Sequence, residues 1–135
     1  MNKYKYSITL ILIVSIFSCS TNLDSEEFID TSLPFHLKTN TTNSETGITE
    51  NNSEKLSVNS TKWIGINEWF NKNKEGWETT PASYIGDTYI TQGEFRMIYT
   101  KNSEGVIISF EDSKGKQKQY SKEIGKDELN FLYKE

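Results

Sequence analysis

The chain has 135 residues, 15 of them basic and 19 acidic, for a net charge of −4. That length suits one domain with appendages, and the excess of acid excludes a nucleic-acid surface, which needs a basic face. A single cysteine, Cys19, and a single histidine, His36, exclude an internal disulfide and a zinc site built from several Cys and His ligands.

The chain opens MNKYKYSITLILIVSIFSC. Lys3 and Lys5 make a short basic start, and residues 8–17 form a largely apolar run. A helix needs about 20 apolar residues to cross a bilayer, so this run is too short to span. It fits the apolar region of a secretory signal, which is about 7–15 residues long. Small Ser18 precedes Cys19, and Ser20 follows it.

This order of charge, apolar run, small residue and cysteine resembles the lipobox of bacterial lipoproteins. Ile16 stands where leucine is commonest in that family, and Phe17 is bulkier than usual. The resemblance implies cleavage between Ser18 and Cys19, lipid on the Cys19 thiol, and residence in the outer membrane or elsewhere in the cell envelope. Each buried methylene contributes ~0.8 kcal/mol, so two or three long chains on one residue hold a protein for its lifetime. Loss of Lys3 and Lys5 with the signal moves the net charge from −4 to −6. Asp24, Glu26 and Glu27 follow closely. They are similar in composition to the acidic export signal of Bacteroidetes-type lipoproteins, which implies display at the cell surface.

Residues 19–59 are predicted to be the lipidated cysteine and a long disordered tether. Within residues 39–60 the large apolar residues are Ile48, Leu56 and Val58. Such a stretch buries too little surface to offset the entropy of ordering it. A coil of this length spans ~35 Å, enough to lift a domain off the headgroups. The more apolar residues 28–37 suggest a stray strand or a short binding segment.

From residue 60 the composition changes, and 12 of the 17 aromatic residues follow. On a helix over residues 63–77, Trp63, Ile66, Phe70 and Trp77 fall within about 60° of arc, and Trp69 widens the stripe. Asn59, Ser60 or Thr61 caps its start, and Gly76 suits its stop. The period then becomes two. Strands are predicted at residues 87–91, 94–100, 106–111 and 117–124, joined by Gly-bearing turns. Residues 126–134 suggest a short helix with Leu129, Leu132 and Tyr133 packing back. The predicted fold is α+β. One amphipathic helix lies on a roughly four-stranded antiparallel meander in a domain spanning residues 60–135.

No residue stands out as catalytic. His36 falls in the expected tether, and a triad needs a histidine held rigidly by a carboxylate. Glu68, Glu75, Glu78, Asp87, Glu94, Glu111 and Asp112 show no spacing that singles out an acid–base pair. The glycines recur about ten apart as turns, without a phosphate-loop pattern. Lys114, Lys116 and Lys118 alternate and are read as one face of a strand, either an edge guarded by lysine or a contact for an acidic partner. Trp69, at the border of its stripe, is the candidate for an exposed aromatic contact. No metal or cofactor is expected. The resulting expectation is a non-enzymatic protein-binding lipoprotein of immunity or inhibitor type. The alternatives are an assembly component of an envelope complex and a glycan-binding lipoprotein.

Overall fold

In the computed structural model, which describes residues 19–135, the segments of period two become strands and the period-3.6 stripe becomes a helix. The signal segment through Ser18 lies outside the described residues. In chain order the elements are β1 (Phe35–Thr42), β2 (Thr49–Leu56), α1 (Thr61–Lys72), β3 (Glu78–Thr79), β4 (Thr88–Gln92), β5 (Phe95–Tyr99), β6 (Gly105–Glu111) and β7 (Gln117–Glu123). Single 3-10 turns lie at Ser25–Glu27 and Asn130–Tyr133. The strands form one seven-stranded sheet in the order β2-β1-β4-β5-β6-β7-β3. All neighbours are antiparallel.

The four predicted strands correspond to β4–β7, and their alternation buries Ile90, Phe95, Met97, Tyr99, Val106, Ile108, Phe110 and Tyr120 on one face. Gly93 opens the β4–β5 hairpin with φ 55°, a conformation that a two-residue hairpin loop requires and glycine adopts without strain. Helix α1 buries Trp63, Ile66, Trp69 and Phe70 on that face. It ends at Lys72, and Trp77 lies beyond it, fully buried. The predicted C-terminal helix is a 3-10 turn, with Leu129 and Leu132 both 1% exposed.

Strands β2 and β3 escaped the sequence reading, the stray strand suggested within residues 28–37 is the start of β1, and the disordered tether is overturned. Residues 35–56 supply β1 and β2, and β1 pairs through His36–Thr39 with β4. A domain boundary at residue 60 would cut one sheet in two. Leu23, Ile29, Phe35, Leu37 and Leu56 all belong to the core. Phe28 stacks on Phe110 at 4.6 Å and on Phe95 at 5.3 Å, and meets Phe70 edge-on at 5.5 Å. Polar strand β2 is exposed at every position except Leu56 because it is the outer strand of the sheet. Cross-strand backbone bonds order it without an apolar pattern.

The N-terminal segment is also stitched down by polar bonds. The Gln92 side chain, on β4, accepts from the Asp30 N–H at 2.8 Å and donates to the Asp30 and Leu33 carbonyls at 3.0 and 3.1 Å. Trp63 Nε1 donates to the Leu33 carbonyl at 3.0 Å. Earlier in the chain, Thr21 and Trp77 exchange backbone bonds of 2.6 and 3.3 Å, and the Leu23 N–H donates to the Lys74 carbonyl at 2.8 Å.

On the opposite face, residues 80–87 cross from β3 back to β4. Gln119 Nε2 donates to the Thr80 and Ala82 carbonyls at 3.0 and 2.6 Å. A Cβ on Gly86 would stand 2.6 Å from the Tyr99 carbonyl oxygen, so only glycine allows this approach.

These packing relations set a direct test of the ordered N-terminal segment. Phe28→Ala should destabilise the fold by about 3 kcal/mol, the low end for a phenylalanine deletion because the ring is partly buried. Urea denaturation measures it, and an unchanged midpoint would restore a disordered tether.

Candidate functional site

A groove of about 1160 Å³ runs beside α1, between the core end of β2 and the C-terminal segment. Its origin is local. Leu129 and Leu132 turn inward and fix the 3-10 turn, which sends Phe131 toward the helix. A Cβ on Gly65 would lie 2.7 Å from Phe131 Cε2, so the ring packs against a helix surface that has no side chain. Leu56, Ile64, Trp69 and Phe131 give the groove its apolar lining. Ile64, one position off the buried stripe, is 40% exposed.

Charges of both signs frame this lining. Glu54, Glu68, Glu128 and Glu135 face the groove together with Lys62, Lys72 and Lys134. Two of the acids are already engaged. Lys62 Nζ meets Glu54 Oε2 at 3.0 Å. Glu128 accepts from Trp69 Nε1 at 3.1 Å and from the Gly125 N–H at 2.8 Å, tying the C-terminal segment to α1. Ser60 Oγ, at the helix start, is buried without a hydrogen-bond partner.

A smaller hollow of about 270 Å³ continues on the same side, between Leu37 and Thr39 of β1 and Tyr133. The Tyr133 hydroxyl shares a 2.6 Å bond with Thr88 Oγ1, and Thr88 is 1% exposed. Burial, and then the charge of Asp87, push the Tyr133 phenol up to about 12. Burial likewise raises Tyr99, whose hydroxyl donates to the Lys126 carbonyl at 3.3 Å.

The residues singled out in the sequence do not assemble into one site. Cys19 is exposed and in no disulfide, and its partner in the expected cleavage, Ser18, lies outside the described residues. Trp69 is 7% exposed, which corrects its reading as an exposed aromatic. Its ring packs edge-on against Phe70 at 5.0 Å and Trp77 at 6.2 Å, so it offers no open face to a sugar. Lys114 and Lys116 belong to the β6–β7 turn and only Lys118 to β7, so the three do not share a strand face. The turn is organised by Asp112, whose Oδ1 accepts from the Lys114 and Lys116 N–H groups at 2.9 Å each. Those bonds and nearby lysines hold its carboxyl below the usual range. Lys118 Nζ lies 3.9 Å from Asp112 Oδ2. His36 is exposed on β1.

The sequence reading missed Ile64, Gly65 and Phe131 as groove residues. The available signal was Gly65 inside a helix, which marks a close approach by another group. No family model matches the chain, and no similar curated protein or solved structure is found. Among the described residues, no helix is long and apolar enough to cross a membrane.

Two outcomes follow from this geometry. Gly65→Ala should lower stability by about 1 kcal/mol, because overpacking against Phe131 exceeds the gain in helix propensity. In a double-mutant cycle with Phe131→Ala that loss should vanish, since the ring that clashes is gone. Tyr133 is held neutral in the folded state above its unfolded pKa of about 10. Its contribution is therefore complete below pH 10 and is lost as pH rises to about 12. Thermal unfolding across pH 9–12 should show a shallower alkaline decline in Tyr133→Phe, with Tyr99 retaining the remainder.

Proposed function

We propose that this protein is a lipid-anchored component of the bacterial envelope whose domain binds a protein partner through the groove beside α1. The observation that carries the reading is the make-up of that groove. It has an apolar strip with Ile64 open to solvent, framed by four carboxylates and three ammonium groups. An apolar centre within a polar rim is the ordinary anatomy of a protein–protein contact. A rim of both signs favours a partner whose charges are also mixed and suppresses wrong pairings by like-charge contact.

Recognition suits these groups better than catalysis does. Glu54 is paired with Lys62, and Glu128 is committed to Trp69 and the Gly125 N–H. A general acid or base has to be free to exchange its proton with a substrate. Anchoring rests on the lipobox-like segment, and exposed Cys19 just outside the folded domain is compatible with it.

The test places a photo-crosslinking residue at Ile64 in the cell, with Arg96 as the control. Arg96 is exposed on the far face of the sheet. One dominant adduct from position 64, absent from position 96 and lost in Lys62→Glu/Lys72→Glu protein, is the expected result. Adducts from position 96 alone, or from neither, would remove the groove from consideration. A set of resident envelope proteins would move the reading to an assembly role. Cys19→Ala should shift the protein from the membrane to the soluble fraction, and unchanged membrane association would end the anchoring reading.

A further inference from the structure

We infer that the lipid surface lies directly against the β3 edge of the domain, and that the β1–β2 hairpin is held at the far side of the molecule. This rests on lipidation of Cys19. The fold adds the length of the attachment and its position.

The attachment is short. Thr21 is fixed by two backbone bonds to Trp77, which is fully buried, and Leu23 is fixed to Lys74 and is 6% exposed. Only Ser20 separates Cys19 from Thr21. Two residues of extended chain reach about 7 Å. A coil of 40 residues would reach ~35 Å. The ordered segment therefore exchanges a long leash for a direct mount. A side chain near Thr21 cannot leave the headgroup zone while the acyl chains stay in the bilayer.

The position is an extreme one. Thr80 directs its N–H to Gln119 of β7. Alternation along an extended chain then points the Trp77 backbone away from β7, and its partner on that outer side is Thr21. Thr21 thus lies outside β3, the last strand of the sheet, whereas β2 is the last strand at the other end. At about 4.8 Å per strand, seven spacings put β2 roughly 34 Å from Thr21. The turn at residues 73–76 sits beside Thr21, and Glu75 within it is exposed. The hairpin tip at residues 43–48 is at the opposite end, where Ile48 is 61% exposed.

The experiment uses the lipidated full chain, in which the Cys19 thiol is blocked and an introduced cysteine is the only free one. Glu75→Cys and Thr46→Cys proteins are labelled with a fluorophore and reconstituted into phosphatidylcholine vesicles carrying doxyl lipids. Quenching at position 75 should exceed that at position 46 by at least threefold. A 20-residue Gly/Ser insert between Ser20 and Thr21 should remove the difference, since such a linker spans about 25 Å. Equal quenching in protein that floats with the vesicles would overturn the mount and leave the anchor standing. Protein that does not float would overturn the anchor itself, and the mount with it.

Discussion

A seven-stranded sheet with one apolar face has to be covered, and the single helix is too small to do it. Twelve residues of α1 make a rod about 18 Å long and about 10 Å wide. The sheet is about 29 Å across its strands. The uncovered remainder would leave Phe110 and Tyr99 in water, at a cost of about 25 cal/mol for each Å² exposed. Both irregular ends of the chain are drawn in as cover. Residues 21–34 bring Leu23, Phe28 and Ile29 over the strands beside the helix, and residues 126–133 bring Leu129 and Leu132.

This division of labour creates the features of interest. The C-terminal segment reaches α1 at Gly65, where a missing side chain lets the Phe131 ring settle, and the groove is the seam between those two pieces. Glu128 clips the seam by accepting from Trp69, so its spacing depends on one carboxylate. At the other end of the chain, the demand for cover explains why a polar segment is ordered up to Thr21. Gln92 satisfies the backbone of residues 30–33 at a place where no strand can pair with them. Free backbone polar groups beside an apolar face would be costly, and one amide side chain removes three of them.

The legible part of the fold was the part with a period. Strands β4–β6 alternate, β7 is marked by Tyr120 between Gly-bearing turns, α1 repeats near 3.6, and Leu129 with Leu132 mark the end segment. Strand β2, TENNSEKL, has no pattern to read, because an outer strand is ordered by its neighbour's backbone and its side chains face water. Leu23, Phe28 and Ile29 have irregular spacing, since a covering segment follows the hollows of the core and obeys no repeat. Trp69 was placed correctly at the border of the helix stripe, but a border residue is exposed only when nothing packs beside it. Trp77, placed beside it by the end of the helix at Lys72, and the C-terminal segment do so here, and the second contact is remote in sequence. The groove was illegible for the same reason, as its walls come from residues 52–73 and 128–135.

Strand β2 bears on where apolar surface stays open. It is an outer strand eight residues long, and an open strand edge is a template for pairing with any other chain. Glu50, Glu54 and Lys55 interrupt it with charge, and Asn51, Asn52 and Ser53 keep it polar on both faces. A flat apolar edge would be prone to aggregate, whereas this one is polar and charged along its length. The apolar surface available for selective contact is therefore displaced from the edge to the groove. There Glu54 of the same strand turns inward to Lys62 at the start of α1. One strand thus guards the molecule on its outer side and forms a wall of the groove on its inner side, where Glu54 is held by Lys62.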